Sequence, residues 1–145
     1  MSEKGIITKT TISAELATRV IEAAVVHARS LGKGFAIAVV DDSGLLKAFH
    51  RMDGAPVIST QIAQDKAYTA VGFGMPSHGW YDFIKDDGPL ALGAPTGIDR
   101  LVVFGGGYPI VVDDAVVGAI GVSGGHYSED MQVAEAGLGA LAPLP

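Results

Sequence analysis

The chain contains no cysteine, which excludes disulfides, thiolate metal sites and a cysteine nucleophile. Charge is also scarce: 18% of the 145 residues are Asp, Glu, Lys or Arg. With a mean hydropathy of +0.35, that is a small polar supply for the surface of a monomer, so a homo-oligomer is expected. Positive charge is scarcer still. Ten Lys and Arg stand against sixteen Asp and Glu, for a net charge of −6, and they are scattered singly. No basic stripe exists to neutralise a phosphate backbone or an anionic membrane, so neither is an expected partner. No apolar run approaches the ~18 residues of a membrane span, and the N-terminus carries Lys4 and Lys9 without an apolar signal segment, so a soluble, cytoplasmic protein is expected.

Several catalytic signatures are missing as well. No G-x-S-x-G elbow supports a hydrolase triad. Gly105, Gly106 and Gly107 are followed by a strand-like run without Lys-Ser or Lys-Thr, which rules out a phosphate loop and reads as a hairpin turn. The histidines at 27, 50, 78 and 126 show no short paired spacing, so no metal site is expected.

What is present is 48% hydrophobic residues, enough for one core and too short a chain for two, so residues 1–145 read as one domain. Thr11 and Ser13 offer caps to a helix whose apolar stripe runs through Leu16, Val20, Ala24, His27 and Leu31 and ends at Gly32. Two β-rich runs around Asp41–Gly44 read as a hairpin. Pro56 opens a second helix over residues 57–71. Residues 77–97, rich in Gly, Pro and aromatics, read as a long loop with a short helix embedded. The runs LVVF, YPIVVDD and AVVGAIGVSGG read as a three-strand meander, and residues 128–141 as a closing helix. Strands and helices do not alternate as βαβ units, which points to an α+β protein with a five-stranded antiparallel sheet flanked by helices.

The candidate site residues each carry two readings. His50 and Arg51 end the second strand; either suits a ligand carboxylate, although strand geometry sends them to opposite faces, and Arg51 could instead pair with Asp53. Lys66 shares a helical stripe with Ser59, Ile62 and Ala70, where it either snorkels to an edge or, desolvated, acts as a base or anion holder. The run from Ser77 to Phe83 combines His78, Trp80 and Tyr81, and lines a pocket or anchors a subunit contact. Ser123 and His126 lie just before a helix N-terminus, whose free amides suit a carboxylate, or serve as the helix start alone.

Four segments carry a family resemblance: VVDDSGLLKAFHRMDGA at 39–55, KAYTA at 66–70, GGGYPIVVDDAVVGAIGVSGG at 105–125 and EDMQVAEAGLGAL at 129–141. Together they resemble the GlcG/HbpS family, described as haem-degrading-domain-like. The resemblance implies a profilin-like layout, a five-stranded sheet and assembly into oligomers, often built from dimers. It does not imply one reaction, because members include haem-binding and sensing proteins, a domain of corrinoid adenosyltransferases, products of catabolic gene clusters and a hydroxylaminobenzoate lyase. Residues and resemblance together suggest a cofactor-independent lyase or isomerase acting on a small carboxylated substrate, aromatic among the options. His78, His126 and Lys66 would be catalytic, and His50, Arg51, Trp80, Tyr81 and Ser123 would bind ligand. The alternative is a protein that binds or senses haem without turnover, with an imidazole as axial ligand.

Overall fold

The structure, a computed structural model, describes residues 4–141. Ser13 opens α1 (Ala14–Ser30) by accepting the Leu16 N–H at 3.1 Å. A hairpin follows, β1 (Ala36–Asp41) and β2 (Leu46–Arg51), turned by Asp41, whose Oδ1 accepts the N–H groups of Ser43 and Leu45. α2 (Ser59–Phe73) ends at Gly74, whose φ of 69° closes the helix in the left-handed region. A second hairpin, β3 (Gly107–Val112) and β4 (Ala115–Ser123), turns through Asp113 and Asp114, both at positive φ. α5 (Tyr127–Leu138) closes the chain with a short 3-10 turn over Gly139–Leu141.

The sheet is antiparallel in the order β2-β1-β4-β3. It has four strands where five were expected. The run Leu101–Phe104 is extended but unpaired, because its backbone is claimed by helix side chains. Val102 N–H donates to Thr69 Oγ1 and the Phe104 carbonyl accepts from Ser77 Oγ. Leu101 and Val103 bury against Trp80, Ile84 and Ala94. The looser segment before it is also more ordered than its composition suggests. It forms α3 (Ser77–Ile84) and α4 (Gly88–Gly97), the latter capped by Asp87 with Pro89 in a first turn that needs no N–H.

Side-chain alternation along the strands splits the core in two. Ile37, Val39, Ile120 and Val122 face α1 and α5, meeting Val20, Ala24, Val133 and Ala134. Ala36, Ala38 and Ala119 face α2 and its Ala63, Ala67 and Ala70. These small residues let α2 lie almost on the sheet. At Gly121 the approach is closest: an added Cβ would collide with the Ala63 carbonyl and stand 2.6 Å from the Ala67 nitrogen. Among the described residues, no helix is long and apolar enough to cross a membrane.

Candidate functional site

The layering brings the N-termini of α2 and α5 together at the end of β4, where Phe104 closes over them. Two adjoining hollows result. One, of about 350 Å3, is lined by Pro56, Ile58, Ser123, His126, Tyr127 and Asp130 among others. Its neighbour, of about 450 Å3, is lined by His78, Tyr81, Asp82, Val103 and Gly105. Phe104 and Tyr127 belong to both and form their common wall. Each volume lies within the range of small-molecule sites, and the shared rings make the walls largely aromatic.

Beneath the wall lies a buried ion pair. Lys66 Nζ donates to Asp130 Oδ2 and to the Val122 carbonyl, both at 2.9 Å, and sits 5.0 Å from the centre of the Phe104 ring. The side chains are 0% and 3% exposed. Burial pulls the Lys66 ammonium down and pushes the Asp130 carboxyl up, and their mutual attraction opposes both shifts. Asp130 Oδ1 also accepts the Gly125 N–H, so the pair ties α2 and α5 to the end of β4. Lys66 thus neither snorkels nor presents its ammonium to a ligand; Phe104 covers it. Gly106 is required here, since a Cβ there would stand 2.7 Å from Lys66 Nζ.

His126 is the N-cap of α5. Its Nδ1 accepts the Ser128 N–H at 3.2 Å, and Glu129 Oε1 accepts the His126 N–H at 3.0 Å. Nδ1 of His126 also lies 2.9 Å from Ser128 Oγ, so the helix cap occupies that nitrogen. Its ring lies 4.2 Å from that of Tyr127. Glu129 in turn is held by Lys33 at 2.7 Å, which draws its carboxyl below the ordinary range.

His78 differs. Its Nδ1 is buried without a partner, and among the described residues no protein group hydrogen-bonds either ring nitrogen. The ring is oriented by packing, edge-on to Tyr108 at 5.7 Å. Tyr108 is anchored by its hydroxyl, which donates to Glu135 at 2.7 Å; burial and then that carboxylate raise its pKa.

The structure brings together His78, Tyr81, Ser123 and His126, with Lys66 below them. Ser123 is 7% exposed and its hydroxyl donates to Ser59 at 3.4 Å. Trp80 turns away: it packs on Phe73, Phe83, Ile84 and Ala94 and lines a separate 220 Å3 hollow with Tyr68 and Asp99. His50 and Arg51 stand on the exposed edge strand, opposite Ile37 and Ala36, and therefore on opposite faces; neither lines the cleft. Arg51 and Asp53 form no ion pair among the described residues. His27 leaves its Nε2 buried without a partner on α1. Phe104, Tyr127 and Asp130 were not anticipated as site residues. Phe104 read as strand core, and a pairing between Lys66 and Asp130 spans 64 positions with no local signal.

Fold and cleft define a small α+β sandwich with a ligand-sized, aromatic-walled site where two helices start. Residues 12–139 match the family model for haem degrading protein HbpS-like, and the chain belongs to that family. GlcG of Escherichia coli K12 is 36% identical over 116 residues, covering 80% of this chain and 84% of GlcG. The crystal structure of HbpS superposes with a TM-score of 0.86 at 30% identity, covering 99% of each chain. That of the PduOC:haem complex superposes with a TM-score of 0.82 at 29% identity, covering 90% of this chain and 95% of the other.

The family description raises haem as a ligand, and the residues present fit it. His78 has an uncommitted imidazole in a cleft walled by flat rings, which is what axial ligation and stacking require. A bare metal ion is not similarly served: no group of three or more His, Asp or Glu among the described residues is placed to hold one.

Proposed function

We propose that this chain binds haem, or a planar aromatic acid of similar shape, in the cleft between α3, α5 and Phe104. The observation that carries the reading is His78, an imidazole free of protein hydrogen bonds on a wall shared with Tyr81, Phe104 and Tyr127. His78 would be the axial ligand. His126, committed at Nδ1, would flank the ligand. The rings of Phe104 and Tyr127 would stack on its faces and exclude water. Haem, when bound, would supply a redox-active iron. That the similar protein PduOC crystallises with haem supports the same assignment.

Titrating the purified chain with ferric haem tests this. A saturating Soret shift at about one equivalent is expected, altered in position by His78→Ala and retained in His126→Ala. No shift in the wild-type chain would remove the reading.

A second reading is favoured by one feature. Two imidazoles in different settings, His126 engaged at Nδ1 by the helix cap and His78 uncommitted, line adjoining hollows. That arrangement suits general acid–base work on a small carboxylated aromatic by a cofactor-independent lyase or isomerase. Haem-free protein that consumes a hydroxylaminobenzoate, and loses that activity in His78→Ala, would establish it; no consumption would dismiss it for that substrate class.

A further inference from the structure

The cleft does not end at His126. A third hollow, of about 620 Å3, adjoins it, and Pro56 and Gly124 line both. The three hollows therefore lie in series, from His78, past the end of β4, to the last turn of α1. The floor near the junction is backbone: Gly124 lies so close to Gly34 and Phe35 that a Cβ would stand 2.5 Å from the Gly34 carbonyl.

The series is chemically polarised. At the His78 end the wall is aromatic, and the nearest charge, Asp82, is answered by Lys85 at 3.3 Å. At the other end stand Arg29 and Lys33. Lys33 is held by Glu129, and Asp53 shares the rim. The Arg29 guanidinium has no ion pair or hydrogen bond to protein among the described residues. Lys9, Lys66 and Arg100 each have a carboxylate partner, and although Arg19, Lys47 and Arg51 also form no ion pair among the described residues, none of those three lines these hollows as Arg29 does. Its position in the last turn of α1 suits the helix dipole, but that needs only a positive charge, not one lining a hollow.

We infer that Arg29 is the carboxylate anchor of this series of hollows, so that the ligand is a planar aromatic molecule carrying an acid tail, held with its ring system toward His78 and its carboxylate toward α1. The inference rests on the proposed cleft and deepens it by naming what the far end recognises. A guanidinium suits the task because it meets a carboxylate with two parallel N–H donors. Its exposure limits the gain to about two- to fivefold in affinity, as for charge pairs open to water.

The test compares ferric haem with its dimethyl ester, which keeps the ring and iron but lacks the acids. The wild-type chain is expected to bind haem about two- to fivefold more tightly than the ester. Arg29→Gln should bring haem down to the affinity of the ester and leave the ester unchanged, Arg29→Lys should restore part of the difference, and added salt should narrow it in the wild type. Equal affinity of the wild type for the two pigments, or an equal loss of both in Arg29→Gln, overturns the anchor and leaves the cleft reading intact. No Soret shift with either pigment removes both.

Discussion

Removing the ammonium from the buried pair by Lys66→Met would leave Asp130 desolvated, with Gly125 N–H as a remaining partner. Breaking a buried pair on one side costs about 3–5 kcal/mol, because the surviving charge has neither its partner nor water. That corresponds to a fall of about 10²- to 10³-fold or more in the folded-to-unfolded ratio, a large share of the ~5–15 kcal/mol that holds a domain together. Adding Asp130→Asn removes the orphaned charge while keeping an acceptor for Gly125, so the double variant should recover at least half of the loss. The pH dependence follows from the direction of each shift. Burial raises the Asp130 carboxyl above its ordinary value, so its contribution is fully present below that value and is lost as pH rises through the folded one. Burial lowers Lys66, so its contribution is present above the ordinary lysine value and is lost as pH falls through the folded one. As an ion pair the two groups carry both desolvation costs, offset by their own attraction. Without Lys66 the Asp130 carboxyl rises further, so the deficit of Lys66→Met should be largest near pH 8 and shrink as acid protonates Asp130. Urea denaturation of wild type, both single variants and the double variant between pH 4 and 8 measures this. A Lys66→Met loss below about 1 kcal/mol, or a double variant as unstable as the sum of the singles, would refute the account of a desolvated, coupled pair.

Other expectations are open to the same assays. Gly121→Ala should destabilise by about 3 kcal/mol or more, because the added Cβ meets the α2 backbone at Ala63 and Ala67 rather than a side chain that can move. Asp114→Gly should stabilise by about 0.5–1 kcal/mol, since Asp114 holds a φ of 63° in a two-residue hairpin turn; a decrease in melting temperature would contradict this. His126→Ala should cost about 1 kcal/mol through loss of the α5 cap, with His126→Asn restoring most of it. The sparse charge leads to the expectation of a homo-oligomer, for which light scattering should return at least twice 14.9 kDa; a monomer mass would contradict it.

Much of the architecture was legible because it is written locally. Ser13 before an apolar stripe, Asp41 to Gly44 between two β-rich runs, and Asp113–Asp114 at the second hairpin each specify their own backbone through capping or turn chemistry. The missing fifth strand was not legible. Leu101–Phe104 has the composition of a strand, but strand formation needs a partner edge, and the side chains of Thr69 and Ser77 reach its backbone instead. His78, Tyr81, Ser123 and His126 were recognisable as polar or aromatic residues beside glycines and helix starts. Trp80 was equally conspicuous in sequence, yet its place is decided by the satellite core of α3 and α4.

By itself, then, the amino-acid order determined α1, α2 and α5, the two hairpins, the antiparallel class and a short set of residues fit to meet a small ligand, since propensity, capping and spacing act over a few positions. The tertiary structure decided which of them meet. It buried Lys66 against Asp130, set Phe104 over both, left His50 and Arg51 on an edge strand, and placed Arg29 at the far end of the series of hollows that begins at His78. Those outcomes depend on how closely α2 settles onto the sheet at Gly121 and how the helix N-termini converge at β4. Such long-range packing distances are set by the whole core at once and by no single stretch of sequence.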